Sequence, residues 1–471
     1  MGTENRQPPT DHAVRREITT SLGKSMLVEA AAGTGKTTLL MDRMLRGLKR
    51  GAFRLPRTVA ITFTEKAAGE LETRLRTTLS RTLRKGDLSP TERQNLDTAL
   101  DEIDRVNVST IHSFCAGLLR ERPVDAGVDP EFEVLDAVRS GLLAQECWER
   151  WMAEQVQESP EPFVDALRAG VSTEAGRGSS GLRGLAWALM ATPEALDPTR
   201  TSLPTPDSSR SELAERLRQF APQVRSFMGT HLKTGGNKTY HRVIEFLHDV
   251  EDSDDLSRVC RLACSFPASK ADKALTSLEK DARERAEELL DELGGIADLI
   301  SAHLAGEVFD WLSGFARFYA EEKRRRSVLD FQDLLVLAAR MLKTRPAVRT
   351  YYKRRFDAFF VDEFQDTDPL QAEIVAYLCE RPEQNAERME EVELQPGKLF
   401  VVGDPKQSIY RFRRADVQTY ERFKDLMKDQ GDDEASVRQV HCNFRSTRPV
   451  LDELNDVFSQ VFVPAEAEGV Y

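Results

Sequence analysis

One stretch limits what this chain can fold into more than any other: residues 26–40 read MLVEAAAGTGKTTLL. A short apolar strand runs into a glycine-containing turn and then into a helical pattern, the context in which a phosphate-binding loop makes physical sense. Gly33 and Gly35 allow the backbone to curl so that its N–H groups face phosphate oxygens. Lys36 has the reach for β- and γ-phosphates, the Thr37 hydroxyl can ligate Mg²⁺, and the start of the following helix adds partial positive charge. Ala30, Ala31, Ala32, Gly33, Thr34, Gly35, Lys36, Thr37 and Thr38 are therefore the candidate nucleotide cradle. The strict loop pattern has Gly where Ala30 stands.

Such a loop needs a carboxylate on a neighbouring strand to hold the metal. Phe359-Phe360-Val361-Asp362-Glu363 has the required form, an apolar strand ending in two acids. Asp362 is the candidate Mg²⁺ ligand, acting through the ion's water shell, and Glu363 the group that orients or deprotonates an attacking water. Together the two segments point to a site that hydrolyses Mg-ATP or a similar nucleotide.

The rest of the chain supplies context. Apolar runs at Met26–Val28, Thr58–Phe63 and Val106–Val108 alternate with helix-length segments, and strand signals return at Phe359–Val361 and Leu399–Val402. This is the pattern of an α/β fold with a parallel sheet. Between 137 and 326 Arg, Glu, Leu and Ala recur at helical spacing, with a Gly/Ser/Thr/Pro-rich excursion at 170–211. The expected organisation is a P-loop domain of residues 1–136 plus 327–440, a helical insertion subdomain at 137–326 and a further segment at 441–471. The Glu-rich stretch 384–397 reads as a solvent loop.

Among 471 residues the net charge is −12, so nucleic acid would have to be held in a local groove rather than by bulk charge. Basic clusters occur at Lys323–Arg326, Lys353–Arg355 and Arg411–Arg414, each also readable as a solvated helix face or helix C-terminus. No run approaches the roughly 18–20 apolar residues of a membrane span. The polar start lacks a signal-peptide core, and six scattered Cys make no disulfide scaffold. A cytoplasmic protein without membrane association is expected. Cys260 and Cys264 lack zinc-spaced partners and read as core residues.

The segments between and after the two halves of the nucleotide site carry a resemblance. Ile61–Ala68 with Glu70 and Arg74, Ser109-Thr110-Ile111-His112-Ser113-Phe114, DEFQDTDPLQ at 362–371, GDPKQSIYRFRRAD at 403–416 and Asn443-Phe444-Arg445-Ser446 resemble, in order, motifs of the superfamily 1A DNA helicases. The resemblance is to the UvrD/Rep/RecB group and is nearest to its RecB/AddA branch, to which Leu329–Leu334 is also similar. It implies a RecA-like motor domain and an ATP-dependent 3′-to-5′ helicase or translocase of recombination and double-strand break repair. It also implies single-stranded and duplex DNA as substrates, and a partner helicase or nuclease subunit. Gln365 and Gln407 would sense the γ-phosphate or attacking water, Arg445 would place a guanidinium on the γ-phosphate, and Phe444 would stack on adenine. Phe63, Thr64, His112, Tyr410, Phe412 and Arg413 would contact single-stranded DNA, with the aromatic rings as base platforms.

Two departures qualify it. The group usually has a glutamine about 21 residues before the loop lysine, reading adenine. Arg15 stands there, so adenine reading by that contact does not carry over. The remaining motifs of a second motor domain do not follow residue 458, so the chain reads as the N-terminal portion of a longer helicase or helicase–nuclease, able to bind nucleotide and DNA but not to unwind alone. A non-catalytic nucleotide- and DNA-binding assembly module is the competing reading, and an unrelated P-loop NTPase acting on protein a third.

Overall fold

The strands of this computed structural model are β1 (Ser25–Ala30), β2 (Thr58–Thr62), β3 (Asn107–Thr110), the two-residue β4 (Glu133–Val134) and β5 (Val328–Leu329), then β6 (Ala358–Val361), β7 (Leu399–Gly403) and β8 (Ala435–Val440). The structure describes residues 10–84, 87–174, 181–192, 208–231, 238–264, 266, 278–411, 414–431 and 435–461. The chain divides into two units, Met1–Phe132 with Phe331–Tyr471, and Glu133–Asp330.

The first unit is built on a six-stranded sheet in the order β3-β2-β6-β7-β1-β8. Every pairing within it is parallel, for example Leu27 with Val401 and Phe360 with Phe400. All residues of β2, β6 and β7 are buried, which explains their unbroken apolar runs: helices cover both faces of a parallel sheet, so no alternation with polar residues is needed. Helix α1 (His12–Thr20) precedes β1, α2 (Lys36–Arg50) follows it and α3 (Glu65–Arg84) follows β2. On α2 the apolar stripe Leu40, Met44 and Leu48 faces the core, joined by β1 and β7 residues such as Met26, Val28 and Phe400. Because the strands are parallel, their C-terminal ends lie along one edge of the sheet, where ligand crevices form in such folds. The segments leaving β1, β2, β3, β6, β7 and β8 there carry Lys36, Phe63, His112, Asp362, Gln407 and Phe444.

Strand β7 lies between β1 and β6, so the acidic strand is one removed from the phosphate-loop strand rather than its neighbour. Strand β8 has no apolar run to announce it. It holds the sheet edge partly through polar pairs: Arg438 forks onto Glu17 of α1, and Gln439 donates to Glu29 of β1 at 2.6 Å.

The segment expected as a solvent loop at 384–397 is instead packed, with Met389, Val392 and Leu394 buried. It covers a charged cluster in which Glu380, fully buried, pairs with Arg349 and Lys353. Backbone groups complete the cluster, as the Ala386 carbonyl accepts from Arg349 and the Ala386 N–H donates to Glu380 at 2.7 Å. Lys353 is thus a core residue and not part of a solvated basic face.

Among its described residues the second unit has helices and, at the point where the chain enters and leaves it, the parallel β4–β5 pair. Its longest helix, Lys280–Arg325, has 46 residues, a length of about 70 Å at 1.5 Å per residue. One core gathers all four tryptophans, Trp148, Trp151, Trp187 and Trp311, around Phe315. A second unites Leu217, Val224, Leu247 and Leu293. Part of the expected excursion at 170–211 is a helix, Gly181–Ala191; residues 175–180 and 193–207 lie outside the described residues. Lys323 is buried and bonded to Asp330 at 2.7 Å, while Arg325 pairs with Glu322 and Arg326 with Glu146, so these cations of the Lys323–Arg326 cluster are engaged within the unit. Cys260 is buried, but Cys264 is exposed. Among the described residues no helix is long and apolar enough to cross a membrane.

Candidate nucleotide and nucleic-acid site

The loop after β1 has the shape that its glycines allow. Gly33 sits at φ 77° and Gly35 at φ 84°, both left-handed, and Gly35 is the residue from which α2 starts. No side chain caps α2. The first N–H groups of a helix lack intrahelical partners, so this end is open to an anion. Thr34 is buried and its hydroxyl turns back onto the Ala31 carbonyl at 2.7 Å, bracing the loop. Ala30 closes β1 in register with Val440 and has no positive φ, so the missing Gly of the strict pattern demands nothing of the backbone here.

The acids after β6 face this loop. The Thr37 hydroxyl donates to Asp362 Oδ2 at 3.1 Å, and Lys36 Nζ lies 2.9 Å from Glu363 Oε2. Glu363 has φ 54°, an unfavourable left-handed state for a residue with a side chain, costing about 1–2 kcal/mol. From Glu363 a closed ring of polar contacts runs through the three segments that follow β1, β6 and β7. Gln365 Nε2 donates to Glu363 at 2.8 Å, and its Oε1 accepts the Asp404 N–H at 2.8 Å. Gln407 donates to the Asp404 carboxylate, and Lys36 closes the ring onto Gln407 Oε1 at 3.5 Å. Burial, and then the Glu363 charge, raise the Asp362 carboxyl above its usual range. The same two causes push Asp366 up to about 6. Three carboxylates gathered around one ammonium leave a local excess of negative charge, which a divalent cation would relieve.

The residues fit such an ion. Thr37 and Asp362 offer the oxygen donors that Mg²⁺ prefers. Mg²⁺ usually keeps several waters and is held by one or two protein oxygens together with phosphates.

The segment after β8 is stitched to the loop by its backbone. Phe444 N–H donates to the Gly33 carbonyl at 2.8 Å, and Asn443 Nδ2 donates to the Ala32 carbonyl at 2.9 Å. Asn443 Oδ1 accepts from the Arg445 and Ser446 N–H groups at 2.8 and 2.9 Å. Phe444 is 59% exposed, with Arg445 exposed beside it. Arg15, Thr34, Gly35, Thr38, Asp42 and Phe444 are among the residues lining a cavity of about 650 Å³ next to the loop, large enough for a nucleobase. Asp11, which pattern reading did not single out, holds this corner. Burial alone would raise its carboxyl, yet Arg15 and the Cys442 and His441 N–H groups lower it to about 2.

Of the proposed DNA contacts, Phe63 and Tyr410 come together, their rings 4.8 Å apart and tilted by 37°. Thr64 is exposed and accepts the Ala67 N–H at 3.1 Å, at the start of α3. His112 is half-buried against the edge of Phe331 at 5.5 Å. Phe412 and Arg413 lie outside the described residues. Sequence reasoning did not single out Phe331, the 48% exposed ring against His112, which falls within the Leu329–Leu334 segment already noted. It also missed Asp404, whose part in the ring comes from the placement of β7 beside β6.

Comparison with known proteins gives this geometry a family. Residues 12–428 match the family described as UvrD/REP helicase N-terminal domain. The chain is 26% identical over 492 residues to an ATP-dependent helicase/nuclease subunit of Syntrophomonas wolfei, covering 94% of this chain and 37% of that relative. It is 27% identical to the protein of the same description from Pediococcus pentosaceus, covering 95% of this chain and 38% of the relative. The chain therefore spans a little over a third of the length of these curated relatives.

Proposed function

The chain belongs to the UvrD/REP helicase family, and on that premise we propose that it binds and hydrolyses Mg-ATP and couples hydrolysis to movement of single-stranded DNA. The observation that carries the reading is the closed ring Lys36–Glu363–Gln365–Asp404–Gln407, which ties the phosphate loop to the loop bearing Tyr410.

In the ligand-free arrangement Lys36 is neutralised by Glu363. A triphosphate competes for the ammonium, and Glu363, released from it, is left to orient a water and accept its proton. The open N-terminus of α2 and the curled 31–35 backbone hold the phosphate oxygens. A bound magnesium ion would offset phosphate charge, with Thr37 and Asp362 as its protein ligands. Arg445 supplies a fixed cation for charge developing on the γ-phosphate, and Phe444 stacks on the base. Gln407 touches Lys36 and lies three residues before Tyr410, so a change at the phosphate is passed to the Phe63–Tyr410 pair. Stacking on these rings grips a strand without reading its sequence.

The description of the relatives as one subunit of a helicase/nuclease supports work within a complex that has at least one more chain; action in DNA repair and a cytoplasmic location are part of the same proposal. The 3′-to-5′ polarity and a role in DNA recombination and double-strand break repair belong to it as well. So does the division into motor domain 1–136 plus 327–440, helical insertion 137–326 and the beginning of a second motor domain at 441–471.

The test separates binding from turnover. Glu363→Gln should keep Mg-ATP affinity within a few-fold while hydrolysis, measured with single-stranded oligonucleotide present, falls by about 10²-fold or more. Hydrolysis by Glu363→Gln at the unmodified rate would refute the role of Glu363.

A further inference from the structure

Arg15 lines the cavity beside Phe444, where a base would lie, yet its guanidinium is committed elsewhere. Nε donates to Asp11 Oδ1 at 2.7 Å, Nη1 to the Thr34 carbonyl at 2.9 Å, and Nη2 to Asp11 Oδ2 at 2.9 Å and the Cys442 carbonyl at 3.4 Å. Those contacts use four of the five N–H groups a guanidinium possesses. Asp11 is equally occupied, since Oδ2 also accepts the His441 and Cys442 N–H groups, each at 3.0 Å. The guanidinium carbon lies 4.9 Å from the centre of the Phe444 ring. One ion pair thus ties α1 to the phosphate loop, to the strand exit at 441–442 and to the aromatic ring.

Telling one base from another needs a fixed donor and acceptor matched to its edge, and a guanidinium cannot accept an exocyclic amine. The carboxylate that could accept one is spent on Arg15 and the two N–H groups. Thr19, also on the cavity wall, donates its hydroxyl to the Arg15 and Arg16 carbonyls, while His12, Arg16, Thr38, Asp42 and Arg46 there are exposed. Hydrogen bonds they made to a base would replace bonds to water for little net gain. Phe444 offers a ring face, which every base can stack on.

We propose that Arg15 is a positioning residue that holds Phe444 against the phosphate loop, and that the site grips the base by stacking, accepting nucleoside triphosphates of any base. This rests on the nucleotide-site reading above and specifies its substrate class. The structural reason is that the Asp11–Arg15 pair beside Phe444 already has its hydrogen bonds made within the protein.

The experiment is equilibrium binding of Mg-ATP, Mg-GTP, Mg-CTP and Mg-UTP to the full chain, with Mg-tripolyphosphate as a base-free probe. The four dissociation constants are expected to fall within about tenfold of one another, against the 10⁴-fold or more seen where a site is built to hydrogen-bond its substrate. Arg15→Ala should weaken all four by a common factor of roughly ten, leaving their ratios unchanged, and should weaken tripolyphosphate less. A preference of about 100-fold or more for one base in the unmodified chain overturns the proposal, whether or not Arg15→Ala removes it. Should Arg15→Ala fail to fold, the comparison in the unmodified chain still decides. Failure of every triphosphate and of tripolyphosphate to bind would overturn the nucleotide-site reading as well. Strong binding of one triphosphate, abolished by Lys36→Ala, would sink the base-indifference alone.

Discussion

Gly33→Ala probes how closely the phosphate loop and the 443–446 segment depend on each other. Two costs are legible in the structure. The residue sits at φ 77°, where a side chain costs about 1–2 kcal/mol. An added Cβ would also lie 2.7 Å from Asn443 Oδ1, 2.8 Å from Asn443 Nδ2 and 2.8 Å from Arg445 Cβ. Asn443 cannot simply swing away, because its side chain makes three hydrogen bonds, to the Ala32 carbonyl and from the Arg445 and Ser446 N–H groups. At about 1 kcal/mol net for each bond, displacing it adds about 3 kcal/mol, giving about 4–5 kcal/mol if the segment stays docked. The cheaper response is local detachment of the segment, which caps the cost near the backbone strain and carries Phe444 and Arg445 away from the loop. The expected result is a fall in melting temperature of about 3–6 °C, with Mg-ATP affinity lowered by at least tenfold. Gly23→Ala is the control, since its Cβ would have nothing within 4 Å and its φ is not positive. Thermal unfolding by circular dichroism and titration with Mg-ATP read the two effects. A Gly33→Ala protein matching the control in both would refute the reasoning.

Other substitutions address the remaining parts. Glu380→Ala leaves Arg349 and Lys353 facing each other in the core without their shared carboxylate. A loss of about 3–5 kcal/mol in urea unfolding is expected, and a change under 1 kcal/mol would show the cluster to be unimportant. Asp366, with its carboxyl at about 6 in the fold against 3.8 ordinarily, binds its proton more tightly when folded. The associated stability is complete below about pH 4 and lost as pH rises through about 6. After allowance for its partial exposure, Asp366→Asn should be about 1 kcal/mol more stable than the unmodified chain at pH 7.5 and no different at pH 4. An equal or lower stability at pH 7.5 would contradict the buried-charge account. Tyr410→Ala and Phe63→Ala should each weaken single-stranded oligonucleotide binding by about 1–3 kcal/mol in fluorescence anisotropy. Unchanged affinity in both would remove the stacking platform.

Strands β1, β2, β6 and β7 were legible because central parallel strands are short continuous apolar runs. Strand β8 was hidden, since Arg438 and Gln439 meet Glu17 and Glu29 instead of an apolar face. The 384–397 segment misled for the converse reason: its many acids mask Met389, Val392 and Leu394, and the cations it covers read as surface residues. At the site, Lys36 and Thr37 are local to one loop and could be singled out from spacing alone. That β7 separates β1 from β6, and so brings Asp404 into the ring, depends on strand order, which no local pattern carries. Arg15 was marked by its position before the loop lysine. Its occupation by Asp11, Thr34 and Cys442 depends on residues up to 427 positions away.

The central claim is that the loop after β1 and the acids after β6 form one triphosphate site governed by Lys36. Calorimetric titration of the chain with Mg-ATP, alone and with single-stranded oligonucleotide, beside Lys36→Ala, tests it most directly. Saturable binding at one site per chain, lost in Lys36→Ala and altered by the oligonucleotide, is the expected result. Equal binding by the two proteins, or none by the unmodified chain, would contradict it.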